Sequence, residues 1–201
     1  MSFALGLTGS IGMGKSTTAK LFAEAGCAVW DADAAVHRLY APGGAAVTPM
    51  AVEFPEAIVD GAVSRAVLKQ IIGADPTALQ RIERIVHPLV AEDREAFRAA
   101  SGADIIVFDI PLLFEGGGEA RMDATVTVSV PADVQEARVM ERGTMTPEQF
   151  RQIRDKQMPD AEKRARADYV VITDTLEHAR AQVQQIVAEI RERLKAGAQH
   201  A

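Results

Sequence analysis

The 201-residue chain has no asparagine, one cysteine, no long apolar run and no excess of positive charge. Each absence excludes something. Without asparagine there is no Asn-Lys-x-Asp segment, the element with which guanine-nucleotide switches read their base, so that class is removed. With Cys27 alone, an intramolecular disulfide and a tetrahedral cysteine metal site are both excluded, which fits a reducing cytoplasm. The apolar runs are strand-sized, far short of the ~20 residues of a membrane helix. Residues 1–7 carry no basic region and run straight into glycines, so neither a signal peptide nor a membrane span is expected. A net charge of −6 argues against a general nucleic-acid binder, which is usually basic overall.

What remains is an ordinary globular composition, 48% hydrophobic and 25% charged, enough to form a core in one domain with smaller lobes. Phe3–Thr8 is a short apolar run meeting Gly9, the pattern of a buried strand entering a loop. Lys15–Glu24 has helical composition, Gly26 stops it, and residues 27–30 form a second apolar run ending in Asp31-Ala32-Asp33. Residues 41–61 are rich in glycine and proline and are expected to be irregular. Helical periodicity occupies 64–100, with Leu79, Ile82, Ile85 and Val86 on one stripe. His87-Pro88 is expected to kink or split that segment, because proline disfavours helical geometry in the residue before it. Residues 104–109, 124–130 and 169–173 are further buried strands, 131–167 is charged and helix-forming, and 176–196 is a long amphipathic helix. Continuous apolar strands separated by helices predict a three-layer α/β fold around a parallel five-stranded sheet.

The most specific signal is Gly9-Ser10-Ile11-Gly12-Met13-Gly14-Lys15-Ser16, a P-loop pattern between a predicted strand and a predicted helix. Glycines let backbone N–H groups turn inward around phosphate oxygens, and the following helix presents its positive end. Lys15 is suited to β- and γ-phosphates, and the Ser16 hydroxyl to Mg²⁺. Asp109 ends a buried strand where such a protein needs a carboxylate for the metal, directly or through water; the alternative is a solvated strand end. Asp31 and Asp33 close the second strand. A carboxylate there either orients and deprotonates a hydroxyl acceptor or caps the helix that follows. The glycines Gly116 to Gly118 predict a mobile connection. From Glu136 to Arg166 eight basic residues face six acidic ones, so this stretch carries +2 and the rest of the chain −8. Arg138 and Arg142, four apart on one helical face, are placed to clamp a polyphosphate in a lid, the alternative being a solvated charged helix.

Two function classes use a P-loop: small-molecule kinases, and switches or motors whose product is a conformational change. A motor usually needs a larger core and an arginine from a neighbouring subunit, whereas here the arginines lie in a helical insert of the same chain. A kinase acting on a small acceptor is favoured.

The ordered set of motifs resembles the dephospho-CoA kinase family over almost the whole chain. The run from Gly6 to Ser16 is similar to that family's opening. Asp31-Ala32-Asp33, Arg65 with Leu68, His87-Pro88 and Pro111-Leu112-Leu113-Phe114-Glu115 follow in order. Arg138 and Arg142 match its lid arginines, and Gln157, Lys163, Ala167 and Asp168 match the run into the last strand. The resemblance implies a P-loop kinase domain with a core (about 1–40, 101–132 and 167–201), a helical acceptor-binding lobe (about 41–100) and a lid (about 133–166). It implies transfer of the ATP γ-phosphoryl group to the 3′-hydroxyl of dephospho-CoA, with Mg²⁺, in the cytoplasm. It implies a monomer or weak homo-oligomer with no nucleic-acid or membrane partner. ATP would meet Gly9, Ser10, Ile11, Gly12, Met13, Gly14, Lys15, Ser16, Thr17, Arg138, Arg142 and Asp174. The acceptor would meet Thr8, Asp33, Arg65, His87 and Leu113. Asp33 would be the base, with Lys15 and Arg142 as the other catalytic residues, and Ser16 and Asp109 would hold the metal. Where the family usually has asparagine near the adenine, this chain has Asp174. Aspartate lacks the amide donors, which implies backbone recognition there or a looser nucleotide preference.

Overall fold

The structure, a computed structural model, describes residues 2–198. Residues 1 and 199–201, counted in the expected core segments, lie outside the described residues. The elements in chain order are β1 (Phe3–Thr8), α1 (Lys15–Glu24), β2 (Ala28–Asp31), α2 (Ala32–Tyr40), α3 (Val47–Glu53), β3 (Ile58–Val59), β4 (Ala62–Val63), α4 (Arg65–Ala74) and α5 (Ala78–Ala100). They continue with β5 (Ile105–Asp109), β6 (Ala124–Ser129), α6 (Ala132–Glu141), α7 (Pro147–Lys156), α8 (Asp160–Arg166), β7 (Tyr169–Ile172) and α9 (Leu176–Ala198).

Five strands form a parallel sheet in the order β2-β5-β1-β6-β7. Every residue of β5 and β6 is buried, as expected when helices cover both faces. β1 lies between β5 and β6, with Leu5 level with Val107 on one side and Ala124 on the other. Its carboxyl end therefore opens at the centre of the sheet, where chain connections leave in opposite directions and ligands bind in folds of this kind. On one face, Leu5, Val107 and Val128 pack with Phe22 of α1 and Val183 and Ile190 of α9. Trp30 meets Phe108 edge-on, with ring centroids 6.0 Å apart. Burial pushes the Cys27 thiol up to about 11, offset only in part by Arg191, so it stays protonated inside the core.

The chain divides into two compact units, one made of residues up to Trp30 and from Ser101 onward, the other of Asp31–Ala100. The division thus falls before α2 rather than near residue 40, because Leu39 and Tyr40 pack with Met50, Phe54, Leu68 and Ile82 in a second core. Residues 41–61 are not irregular. They hold α3, a 3₁₀ turn at Pro55–Ala57 and half of a small antiparallel hairpin, β3 with β4, because Met50, Phe54 and Ala57 supply apolar anchors that glycine and proline counts do not register. The helical stretch after Ser64 breaks at Asp75–Thr77 instead of at Pro88. There the Asp75 carboxylate accepts both the Thr77 N–H (2.8 Å) and its hydroxyl (2.7 Å) in a local turn, whereas α5 runs through Pro88. Leu79 leaves the expected stripe and is exposed, while Ile82 and Val86 are buried.

Phe22 is fully buried between α1, α9 and the sheet. Phe22→Ala is expected to cost about 3–5 kcal/mol of unfolding free energy, measured as a lowered urea midpoint.

Candidate active site

The loop between β1 and α1 takes a shape only glycine tolerates at two points. Gly12 has φ +78° and Gly14 +90°, both in the left-handed region. At each there is also no room: a Cβ on Gly12 would stand 2.6 Å from Val139 Cγ2, and one on Gly14 2.9 Å from Thr173 Oγ1. The first intrahelical bond of α1 is Thr18 N–H to Gly14 O at 3.0 Å. Lys15, Ser16 and Thr17 precede it, so their amides are first-turn donors of the kind that cradle an anion. Ser16 and Thr17 are exposed.

Other polar groups of the loop are met by the protein. The Thr173 hydroxyl donates to Met13 O at 2.6 Å and accepts from Arg138 at 3.2 Å, while a second Arg138 nitrogen donates to Thr173 O at 2.6 Å. Ile11 has both peptide groups occupied, its N–H by Gln157 Oε1 (3.1 Å) and its C=O by Gln135 Nε2 (2.7 Å). Among the residues expected around ATP, Ile11 is therefore a docking point for the protein, not an open donor. Gln135 and Thr173 carried no signal in the sequence, since each works across more than a hundred residues and belongs to a common type.

Lys15 Nζ donates to Asp109 Oδ1. Asp109 is 3% exposed, and its strand position is level with Leu7 of β1. Ser16 and Asp109 are hard oxygen donors, the kind Mg²⁺ takes alongside phosphates and water, so their chemistry fits that ion.

Arg138 and Arg142 line one cavity of about 230 Å³ together with Gly14, Thr17, Thr18, Thr173, Thr175, Leu176 and Ala179. The two differ in commitment: Arg138 is tied to the end of β7, whereas Arg142, the C-terminal cap of α6, has no ion-pair partner among the described residues. Asp174, beside this cavity in the chain, accepts the Thr175 N–H and lies 2.8 Å from His178 Nδ1. The Thr175 N–H, then His178, hold its carboxyl below the usual range, so at neutral pH it offers acceptors and no donors.

Two expected acceptor residues are corrected by burial. Thr8 is fully buried and donates to Pro111 O at 3.0 Å, and Leu113 is fully buried against Gly6. They shape the ground beneath the site and do not present side chains to a ligand. Asp31 is the cap of α2, accepting the Ala34 N–H at 2.9 Å. Asp33, expected at the strand end, instead stands exposed in the first helical turn with no share in that bond. Arg65 is the first residue of α4, its guanidinium 5.6 Å from the Tyr40 ring centroid, and His87 is exposed on α5.

The Gly116–Gly118 stretch is a hydrogen-bonded turn, with Gly116 N–H on Leu112 O and Gly118 N–H on Leu113 O. Beside it, Glu115 pairs with the fully buried Lys163 at 2.9 Å and accepts the Met158 N–H at 2.8 Å.

Thr17, in the first turn of α1 after the P-loop, thus shares one cavity with Arg138 and Arg142. The dephospho-CoA kinase family model (CoaE) matches residues 3–178. The chain belongs to the dephospho-CoA kinase family. That membership makes it a P-loop kinase, an ATP-dependent transferase. A dephospho-CoA kinase of Ruegeria pomeroyi is 70% identical over 191 residues, covering 95% of this chain and 97% of that one. Among solved structures, the Thermus thermophilus protein TT1252 is similar with a TM-score of 0.84 at 32% identity, over 94% and 97% of the two chains. The dephospho-CoA kinase of Campylobacter jejuni shares the fold, with a TM-score of 0.67 at 22% identity over 94% and 98%.

Gly12→Ala combines a disallowed backbone angle with a clash against Val139. It is expected to abolish measurable ATP binding in calorimetry and to lower stability by about 1–3 kcal/mol. Burial pushes the Glu115 carboxyl up, but the Lys163 ammonium and the Met158 N–H outweigh it and leave it below the ordinary range. A depressed carboxylate contributes stability above its unfolded pKa and loses it as pH falls through its folded one. Glu115→Gln should therefore destabilise the fold at neutral pH and flatten the decline of the urea midpoint on the acid side.

Proposed function

We propose that the chain transfers the γ-phosphoryl group of ATP to the 3′-hydroxyl of dephospho-CoA, giving CoA and ADP. The observation that carries this reading is that Gly14 and Thr17, on either side of Lys15 at the start of α1, line one cavity with Arg138 and Arg142, in a member of this family. Lys15 leaves Asp109 to meet the β- and γ-phosphates. Arg142, the uncommitted guanidinium, stabilises charge on the group in transit. Arg138, fixed by Thr173, walls the base side, where Asp174 offers acceptors to an amino group. Ser16 and Asp109 would hold Mg²⁺, which would supply neutralisation of the phosphate charge.

Asp33 accepts the proton of the attacking hydroxyl. Two facts support this role over capping: the cap is already made by Asp31, and the Asp33 carboxylate is exposed. Residues 41–100 with α2 serve as the acceptor-binding lobe, where Arg65 and His87 present exposed cationic or polar groups to an anionic nucleotide. Residues 133–166 serve as the lid, which excludes water from the transfer. The kinase works in the cytoplasm as a monomer or weak homo-oligomer, without nucleic acid; no described helix is long and apolar enough to cross a membrane.

Purified protein with Mg²⁺, ATP and dephospho-CoA should yield CoA. Phosphorylation of adenosine or another acceptor, with dephospho-CoA untouched, would sink this reading. Lys15→Ala and Asp33→Asn are each expected to lose about 10²–10⁴-fold in kcat with an unchanged circular dichroism spectrum. Near-normal turnover of Asp33→Asn would remove it as the base.

A further inference from the structure

Ile11, at the apex of the phosphate loop, is gripped on both sides of its backbone by side chains of opposite polarity. Gln157 must accept, because it faces an N–H; Gln135 must donate, because it faces a C=O. The two come from different elements. Gln135 lies in the first turn of α6 and is 3% exposed, and Gln157 caps the end of α7. Gln157 is itself set in place, since its neighbour Met158 is bound through its N–H to Glu115, and Glu115 is fixed by the buried Lys163.

Packing does this job only in part: Val139 presses on Gly12 and Met13 is buried, but the flank is open. Ser10, Met13, Gln135 and Gln157 border a cavity of about 460 Å³, so this side of the loop faces open space where a close-packed interior would normally hold it. A loop with two glycines in the left-handed region and a void beside it needs polar tethers to keep one conformation.

We propose that Gln135 and Gln157 are positioning residues for the reaction: a clamp that holds the Ile11 peptide so that the amides further along the loop stay aimed at the phosphates. The proposal rests on ATP binding at this loop. It assigns to each glutamine a direction of hydrogen bonding that can be reversed separately. Gln157→Glu keeps an acceptor at its site, whereas Gln135→Glu removes the donor and sets a carboxylate against a carbonyl. Leucine removes both capacities at nearly constant volume.

The test is calorimetric ATP titration together with steady-state kinetics on Gln135→Leu, Gln135→Glu, Gln157→Leu and Gln157→Glu. About 0.5 M salt screens the charge added at the partly exposed Gln157, whereas a charge at the buried Gln135 stays largely unscreened, so the leucine variants carry the test there. The expected result is a rise of roughly 10- to 100-fold in the Kd and KM for ATP in both leucine variants and in Gln135→Glu. Gln157→Glu should return to within about threefold of the parent, and the KM for dephospho-CoA should stay unchanged throughout. Parent-like ATP binding in all four variants would overturn the clamp, as would recovery in Gln135→Glu with none in Gln157→Glu. Equal losses for both substrates would also overturn it, since that pattern marks general damage. A parent protein that bound no ATP would instead overturn the nucleotide reading beneath it.

Discussion

A phosphate-binding loop must turn its amides away from the sheet and toward a ligand, and every other polar group of that backbone then needs a partner from elsewhere. This constraint organises the molecule. β1 delivers the loop at the centre of the parallel sheet, where neither neighbouring strand can continue the ladder past Thr8. Beyond that point Met13 O is met by Thr173, the Ile11 peptide by two glutamines, and the Lys15 ammonium by Asp109. The start of α6, the end of α7 and the end of β7 are thus structural complements of the loop.

The charge distribution follows the same economy. The stretch from Glu136 to Arg166 carries +2, but Arg151, Arg154, Lys163, Arg164 and Arg166 are all engaged with nearby carboxylates. Arg138 is bound to the end of β7. Of the cations in this stretch, Lys156 and Arg142 are left without an ion-pair partner among the described residues, and of these two Arg142 lines the cavity beside the loop. An acidic protein can therefore hold a polyanion with very little net positive charge, provided the few uncommitted donors are aimed at one place.

Local chemistry was legible in the sequence. The strand-loop-helix step at the P-loop and the five apolar strands depend on neighbours in the chain, and the structure has that fold as read. Long-range partners were not legible: nothing about Gln135 or Thr173 announces that it will meet a backbone group 124 or 160 residues away. Asp31 and Asp33 were read as one strand end because no turn residue separates β2 from α2. The strand passes directly into the helix, with Asp31 serving both as last strand residue and as cap. Residues 41–61 misled for the opposite reason. Their glycines and prolines signal breaks, while Met50 and Phe54, which do the folding, are too few to set a period.

The Thr173 hydroxyl on Met13 O has a consequence for biogenesis. A chain is made from its amino end, so the phosphate loop emerges among the first residues, while the groups that satisfy its backbone emerge at positions 135, 157 and 173. The backbone of the loop is satisfied in full only once residue 173, just past the last strand, has been made.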